Sequence, residues 1–140
     1  MAIGLTPGEE YEYVLAEDRS KDDDDPTRTV FQLRTLTSRE ATKLEDFAGN
    51  YDPNAGDVRM TFGTNSMLAL QAGLCGWRNY LDGDGNAIPF VSTGKQLNIL
   101  GKNVDPPTDA TLGRLTAAHR QELAEAIREG NRLTKEEKKT

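Results

Sequence analysis

A chain of 140 residues with 36% hydrophobic and 29% charged residues has apolar material for one modest core beneath a heavily solvated surface. Its formal net charge of −6, with lysines and arginines spread along the chain, excludes the concentrated basic face that nucleic-acid binding requires. No stretch reaches the roughly 20 apolar residues that cross a bilayer. MAIGLTPGEE lacks the basic region of a secretory signal, and Cys75 is the single cysteine, so a reducing cytoplasm is the expected location.

In chain order, residues 11–15 (YEYVL) alternate Tyr11, Tyr13 and Leu15 against polar neighbours, the period of a strand with one buried face. Residues 17–26 are acidic, with Asp22, Asp23, Asp24 and Asp25 in succession, and repulsion among these carboxylates predicts a solvated loop. Residues 29–33 (TVFQL) alternate again. The two strands are expected to form a long-looped hairpin with Tyr13 and Phe31 on a common side.

Thr37-Ser38-Arg39-Glu40 has the form of a capping box, in which the Thr37 hydroxyl and Glu40 carboxylate each reach the other residue's amide. Ala41, Leu44, Phe47 and Ala48 follow at helical spacing, and Gly49-Asn50 supplies a stop. Beyond a turn-rich segment at 50–57, Val58, Met60 and Phe62 alternate as a short strand. They lead into a second helix over 65–74 that Gly73 and Gly76 break.

Residues 77–91 (WRNYL, DGDGN, AIPFV) predict a hairpin around an Asp-Gly pair, with Pro89 confining the second run to an edge or a bulge. A connector over 103–109 carries Pro106 and Pro107. It is followed by one long helix over 112–129 with Leu112, Leu115, His119, Leu123 and Ile127 near one stripe. Gly130-Asn131 ends it, and Thr134 and Glu137 cap a final turn. The expected class is α+β: a small mixed domain with two antiparallel hairpins packed on about three helices, the C-terminal one amphipathic. The domain is expected to span residues 1–133, with the acidic loop at 17–26 and a charged tail at 134–140.

Little in the chain is arranged for chemistry. Asp82-Gly83-Asp84-Gly85-Asn86 begins like a calcium loop, but its sixth position is Ala87 and its twelfth is Thr93, where Gly and a bidentate Glu are needed. His119 is the only histidine, which excludes a multi-histidine metal site and points to a residue packed near the core. Cys75 follows an apolar helix end and reads as buried and inert. No glycine-rich phosphate loop is present. Neither metal nor cofactor nor enzymatic activity is therefore expected.

Trp77, Tyr80 and Phe90 stand apart, being clustered in a chain with only 6% aromatics. Either they anchor the core or one face of them meets a partner. Arg120 and Arg128, on more polar faces of the C-terminal helix, complete the candidate partner-binding set of Trp77, Tyr80, Phe90, Arg120 and Arg128.

The run Leu74-Cys75-Gly76-Trp77-Arg78-Asn79, then Asp82-Gly83-Asp84-Gly85-Asn86, then Ile88-Pro89-Phe90, resembles a stretch of small tailed-bacteriophage proteins described as tail assembly chaperones. Pro26-Thr27 leading to Phe31-Gln32-Leu33-Arg34-Thr35-Leu36-Thr37 and Glu40 is similar to their N-terminal segment. Leu123 through Ile127, then Asn131, Leu133, Thr134 and Glu137-Lys138-Lys139, is similar to their closing segment. The matches span residues 26–139, while the acidic insertion departs from the family pattern.

The resemblance implies a morphogenesis protein acting in the host cytoplasm. It would bind tape-measure, tube or baseplate components during tail assembly, without nucleic acid or membrane. The alternative is a structural virion protein retained in the tail, connector or baseplate as part of a larger symmetric assembly. An enzyme with a site built from scattered carboxylates is a third and more remote reading.

Overall fold

Tyr11 and Tyr13 face Leu33 and Phe31 across an antiparallel pair, and this shared apolar face seats a three-stranded sheet on the helices. The computed structural model describes residues 8–49 and 58–130. Its strands β1 (Glu10–Val14), β2 (Val30–Arg34) and β3 (Leu74–Arg78) are ordered β1-β2-β3, all antiparallel. The predicted first hairpin forms, and Tyr13 pairs with Phe31 as expected. The class is α+β. Among the described residues there are four helices, the three-stranded sheet and a two-stranded hairpin.

The capping box forms as well. The Thr37 amide donates to Glu40 Oε1 at 3.0 Å, and the Glu40 amide donates to Thr37 Oγ1 at 3.2 Å, opening α1 (Ser38–Gly49). Glu40 also holds the guanidinium of Arg34 in a two-pronged pair at 3.1 and 2.7 Å. Arg34 in turn donates to the Ala72 carbonyl at 3.0 and 2.5 Å. One buried ion pair thus ties the end of β2, the start of α1 and the last turn of α2 (Val58–Gly73). At that end of α2 a methyl group on Gly73 would lie 2.7 Å from Ile127 Cγ2, so the crossing with α4 (Ala117–Glu129) needs a glycine there.

Four expectations are corrected. Val58, Met60 and Phe62 are not in a strand, because α2 runs unbroken from Val58. Three alternating residues are too few to separate a period of 2 from one of 3.6, and a helix supplies its own amide partners. The predicted hairpin over 77–91 reduces to one bridge, Leu81 to Ala87, while Trp77 belongs to β3 and pairs with Phe31. Its turn is closed by Asp82, whose Oδ1 accepts the amides of Asp84 and Asn86 at 2.9 and 3.0 Å. Pro89 has no amide to extend a ladder beyond that bridge.

The start of the connector over 103–109 is taken up by β5 (Lys102–Val104), paired with β4 (Leu97–Ile99). The reversal between them puts Leu100 at φ 55° and Gly101 at φ 85°, and a leucine at positive φ carries no turn signature in sequence. The long C-terminal helix is broken into α3 (Asp109–Leu112) and α4. Each part has its own cap: Thr108 accepts from the Thr111 amide and Thr116 from the His119 amide.

The apolar stripe survives the break, with Leu112, Leu115, Leu123 and Ile127 all buried. Thr116→Ala should therefore cost about 1 kcal/mol. A urea titration showing the same midpoint as the parent would count against the cap. Residues 50–57, Thr134 and Glu137 lie outside the described residues. Among the described residues, no helix is long and apolar enough to cross a membrane.

Candidate functional site

Trp77 leaves β3 on the face occupied by Phe31, and its neighbours make it the hub of an aromatic cluster. Its ring meets Phe31 edge-on at 6.0 Å, Phe90 edge-on at 5.0 Å and Tyr80 at 5.1 Å. The indole Nε1 donates to the Ile88 carbonyl at 2.8 Å, satisfying its one polar atom. Asn79, at φ 59°, turns the chain sharply after β3, and Tyr80 beyond it returns into the core at 6% exposure.

The phenol of Tyr80 touches an unforeseen arrangement. Its Oη lies 2.9 Å from His119 Nδ1 and 3.4 Å from the Arg114 carbonyl. His119 Nε2 lies 2.6 Å from Glu17 Oε1. Glu17 sits in a 3-10 turn, Ala16–Asp18, that opens the acidic segment. With a neutral imidazole the chain of donors is determined. Nε2–H donates to Glu17, which leaves Nδ1 to accept the Tyr80 hydrogen.

The acidic segment is more ordered than a solvated loop. Asp18 is buried, accepting from the Thr29 amide at 3.1 Å and pairing with Lys21 at 2.8 Å. Burial alone would raise its carboxyl, but the Lys21 and Thr29 bonds outweigh it and hold the group below its ordinary range. Asp25 Oδ1 accepts the Thr27 amide and hydroxyl at 2.8 and 2.7 Å, and Arg28 pairs with Asp23. Asp22, Asp23 and Asp24 remain exposed, as repulsion predicts. Between this segment, the end of β3 and the first turn of α4 lies an open cleft of about 190 Å³ lined by Glu17, Asp18, Thr27, Thr29, Tyr80 and His119.

Burial pushes the Tyr80 phenol up from its ordinary value, away from the phenolate a nucleophile requires. Cys75, expected to be buried, is only half-buried, and its thiol is pushed up to about 11 by burial and then by Glu10. In the loop at 82–86 Asp82 Oδ1 accepts two backbone amides, and no metal-holding group of three His, Cys, Asp or Glu occurs among the described residues.

Of the five sequence-predicted partner residues, the fold gathers Trp77, Tyr80 and Phe90 into one cluster and leaves the two arginines apart from it. Tyr80 is buried, whereas Trp77 and Phe90 are half-buried. Arg120 is half-buried on α4. Arg128 donates through Nη1 to Asn65 Oδ1, and Asn65 donates to the Leu44 carbonyl at 2.6 Å, so that guanidinium braces α4 against α2 and α1. Large apolar side chains do reach solvent further along: Val91 is 50% and Leu97 41% exposed. Sequence reasoning missed Glu17, because its histidine partner is 102 residues away and no local pattern joins them. No family model, curated protein or solved structure matches the chain.

Proposed function

We propose that this protein is a non-catalytic binding factor of phage tail morphogenesis, of the tail assembly chaperone type, and that it engages partners through the ribbon beyond the aromatic cluster. The observation that carries this reading is the exposure of Val91 and Leu97 on that ribbon. Behind them the ribbon is firmly built. Thr93 and Thr108 donate their amides to the Pro106 and Val91 carbonyls, β4 pairs with β5, and Asp105 clamps Ser92, Thr93 and Gly94 through bonds of 2.9 Å. Ile99 and Leu100 pack on the core, and Phe90 packs on Trp77. Exposed apolar side chains on a rigid support suit an anchor for a partner's apolar segment, since little ordering entropy remains to be lost on binding.

Co-expression with the tape-measure, tube and baseplate proteins of the phage genome that encodes it tests the reading. A complex that survives size exclusion with the parent chain, and is lost in Val91→Lys/Leu97→Lys, is the expected result. Those surface changes should leave stability within about 0.5 kcal/mol of the parent. Failure to bind any of these proteins overturns the proposal. Mass spectrometry of purified particles then separates a factor that departs, which is expected to be absent, from a component that is retained.

A further inference from the structure

Asp-Gly occurs twice in the chain, at 82–83 and 84–85, and the fold treats the two pairs differently. In such a pair the glycine nitrogen is a main-chain nucleophile within reach of the aspartate side-chain carbon, and no Cβ on the glycine shields it. Attack requires that this nitrogen be free and that the carboxyl group be turned toward it.

For Asp84 the nitrogen is engaged. The Gly85 amide donates to the Asp82 carbonyl at 3.0 Å and closes the turn, with Gly85 at φ 82°. Attack on Asp84 has to break that bond first. For Asp82 both conditions are met. Gly83 is exposed, and its amide has no hydrogen-bond partner among the described residues. Asp82 Oδ1 accepts the Asp84 and Asn86 amides at 2.9 and 3.0 Å, which curls the side chain back over its own C-terminal peptide bond. Those two donors face an oxygen on which negative charge grows when a nitrogen adds to Cγ, the arrangement of an oxyanion hole. The frame around them is fixed, since the Asp82 amide donates to the Asn86 carbonyl at 2.9 Å and Leu81 bridges Ala87.

We propose that Asp82 is a site of self-modification, where the folded turn directs Asp82-Gly83, and not Asp84-Gly85, into a cyclic imide and then isoaspartate. Gly83 N bonds to Asp82 Cγ, and Oδ2 departs as water, carrying the amide hydrogen and one proton drawn from solvent. Water then adds to the main-chain carbonyl carbon of Asp82, and the bond from that carbon to Gly83 N breaks. The chain now continues through Cγ, and the former main-chain carbonyl becomes a free carboxylate. One water leaves and one returns, so the steps need no oxidant or reductant. The product carries an extra main-chain methylene in the turn between Tyr80 and Ile88, whose carbonyl holds the Trp77 indole.

The test incubates the full chain at neutral pH and physiological temperature, once folded in buffer and once unfolded in guanidinium chloride. Proteolytic peptides are then resolved by mass spectrometry with electron-transfer fragmentation, which tells isoaspartate from aspartate. In the folded sample isoaspartate should accumulate at 82 about tenfold faster than at 84, preceded by a species one water lighter. In the unfolded sample the two pairs should convert at similar rates, because only the turn distinguishes them. Gly83→Ala puts its methyl group where nothing lies within 4 Å, so it should melt with the parent while slowing conversion at 82 about tenfold. Equal rates at the two positions in the folded protein, faster conversion at 84, or an Asp82 that stays intact while the unfolded sample converts would each overturn the proposal. A folded Gly83→Ala protein converting as fast as the parent would do the same.

Discussion

Arg34→Met should destabilise the protein by about 3–5 kcal/mol, the loss seen when one member of a buried ion pair is removed. Glu40 is 1% exposed and Arg34 9% exposed, so the substitution strands a carboxylate away from water. It also removes both donors to the Ala72 carbonyl and loosens the junction of β2, α1 and α2. The double variant Arg34→Met/Glu40→Leu should recover much of the loss, since replacing both charges with apolar groups avoids the stranded one. Urea titrations with a common slope are the measurement. A single variant as stable as the parent would show that the pair is dispensable.

The same pair gives stability a pH dependence. Burial alone would raise the Glu40 carboxyl, but the bonds from Arg34 and from the Thr37 amide outweigh it and hold the group below its ordinary value. A depressed folded-state value means its contribution is fully present above the ordinary glutamate value of about 4.3, and is lost as pH falls through the lower folded value. The parent should therefore lose stability on acidification more steeply than the double variant.

Trp77→Ala is the second large effect, expected at about 3 kcal/mol, the lower end for a buried large aromatic because the indole is only half-buried. The change deletes ring contacts with Phe31, Tyr80 and Phe90 and leaves the Ile88 carbonyl without its indole donor. Trp77→Phe should cost less, since it keeps a ring and loses the bond. Thermal melts followed by circular dichroism decide this. An Ala variant melting with the parent would assign Trp77 to a surface rather than to the cluster.

Where a signal was local, the sequence alone determined the outcome. Alternation placed Tyr13 opposite Phe31, and Thr37 and Glu40, three residues apart, could satisfy each other's amides within one helical turn. The stripe of Leu112, Leu115, Leu123 and Ile127 named the buried face even though the helix carrying it is broken. The aromatic cluster was legible for the same reason, since Trp77, Tyr80 and Phe90 fall within one short run of chain.

Tertiary structure decided everything that depends on distant residues meeting. The partner of Val30–Arg34 on its second side is β3, more than 40 residues on, so Trp77 became a sheet residue rather than a hairpin residue. Arg128, which reads as a surface charge on a helix, braces Asn65 because α4 lies across α2. Glu17 and His119 read separately as a loop acid and a core histidine, and they share a hydrogen bond only because β1 and α4 pack side by side. Periodicity reports which face of an element is buried, and it carries no information about which element will cover that face.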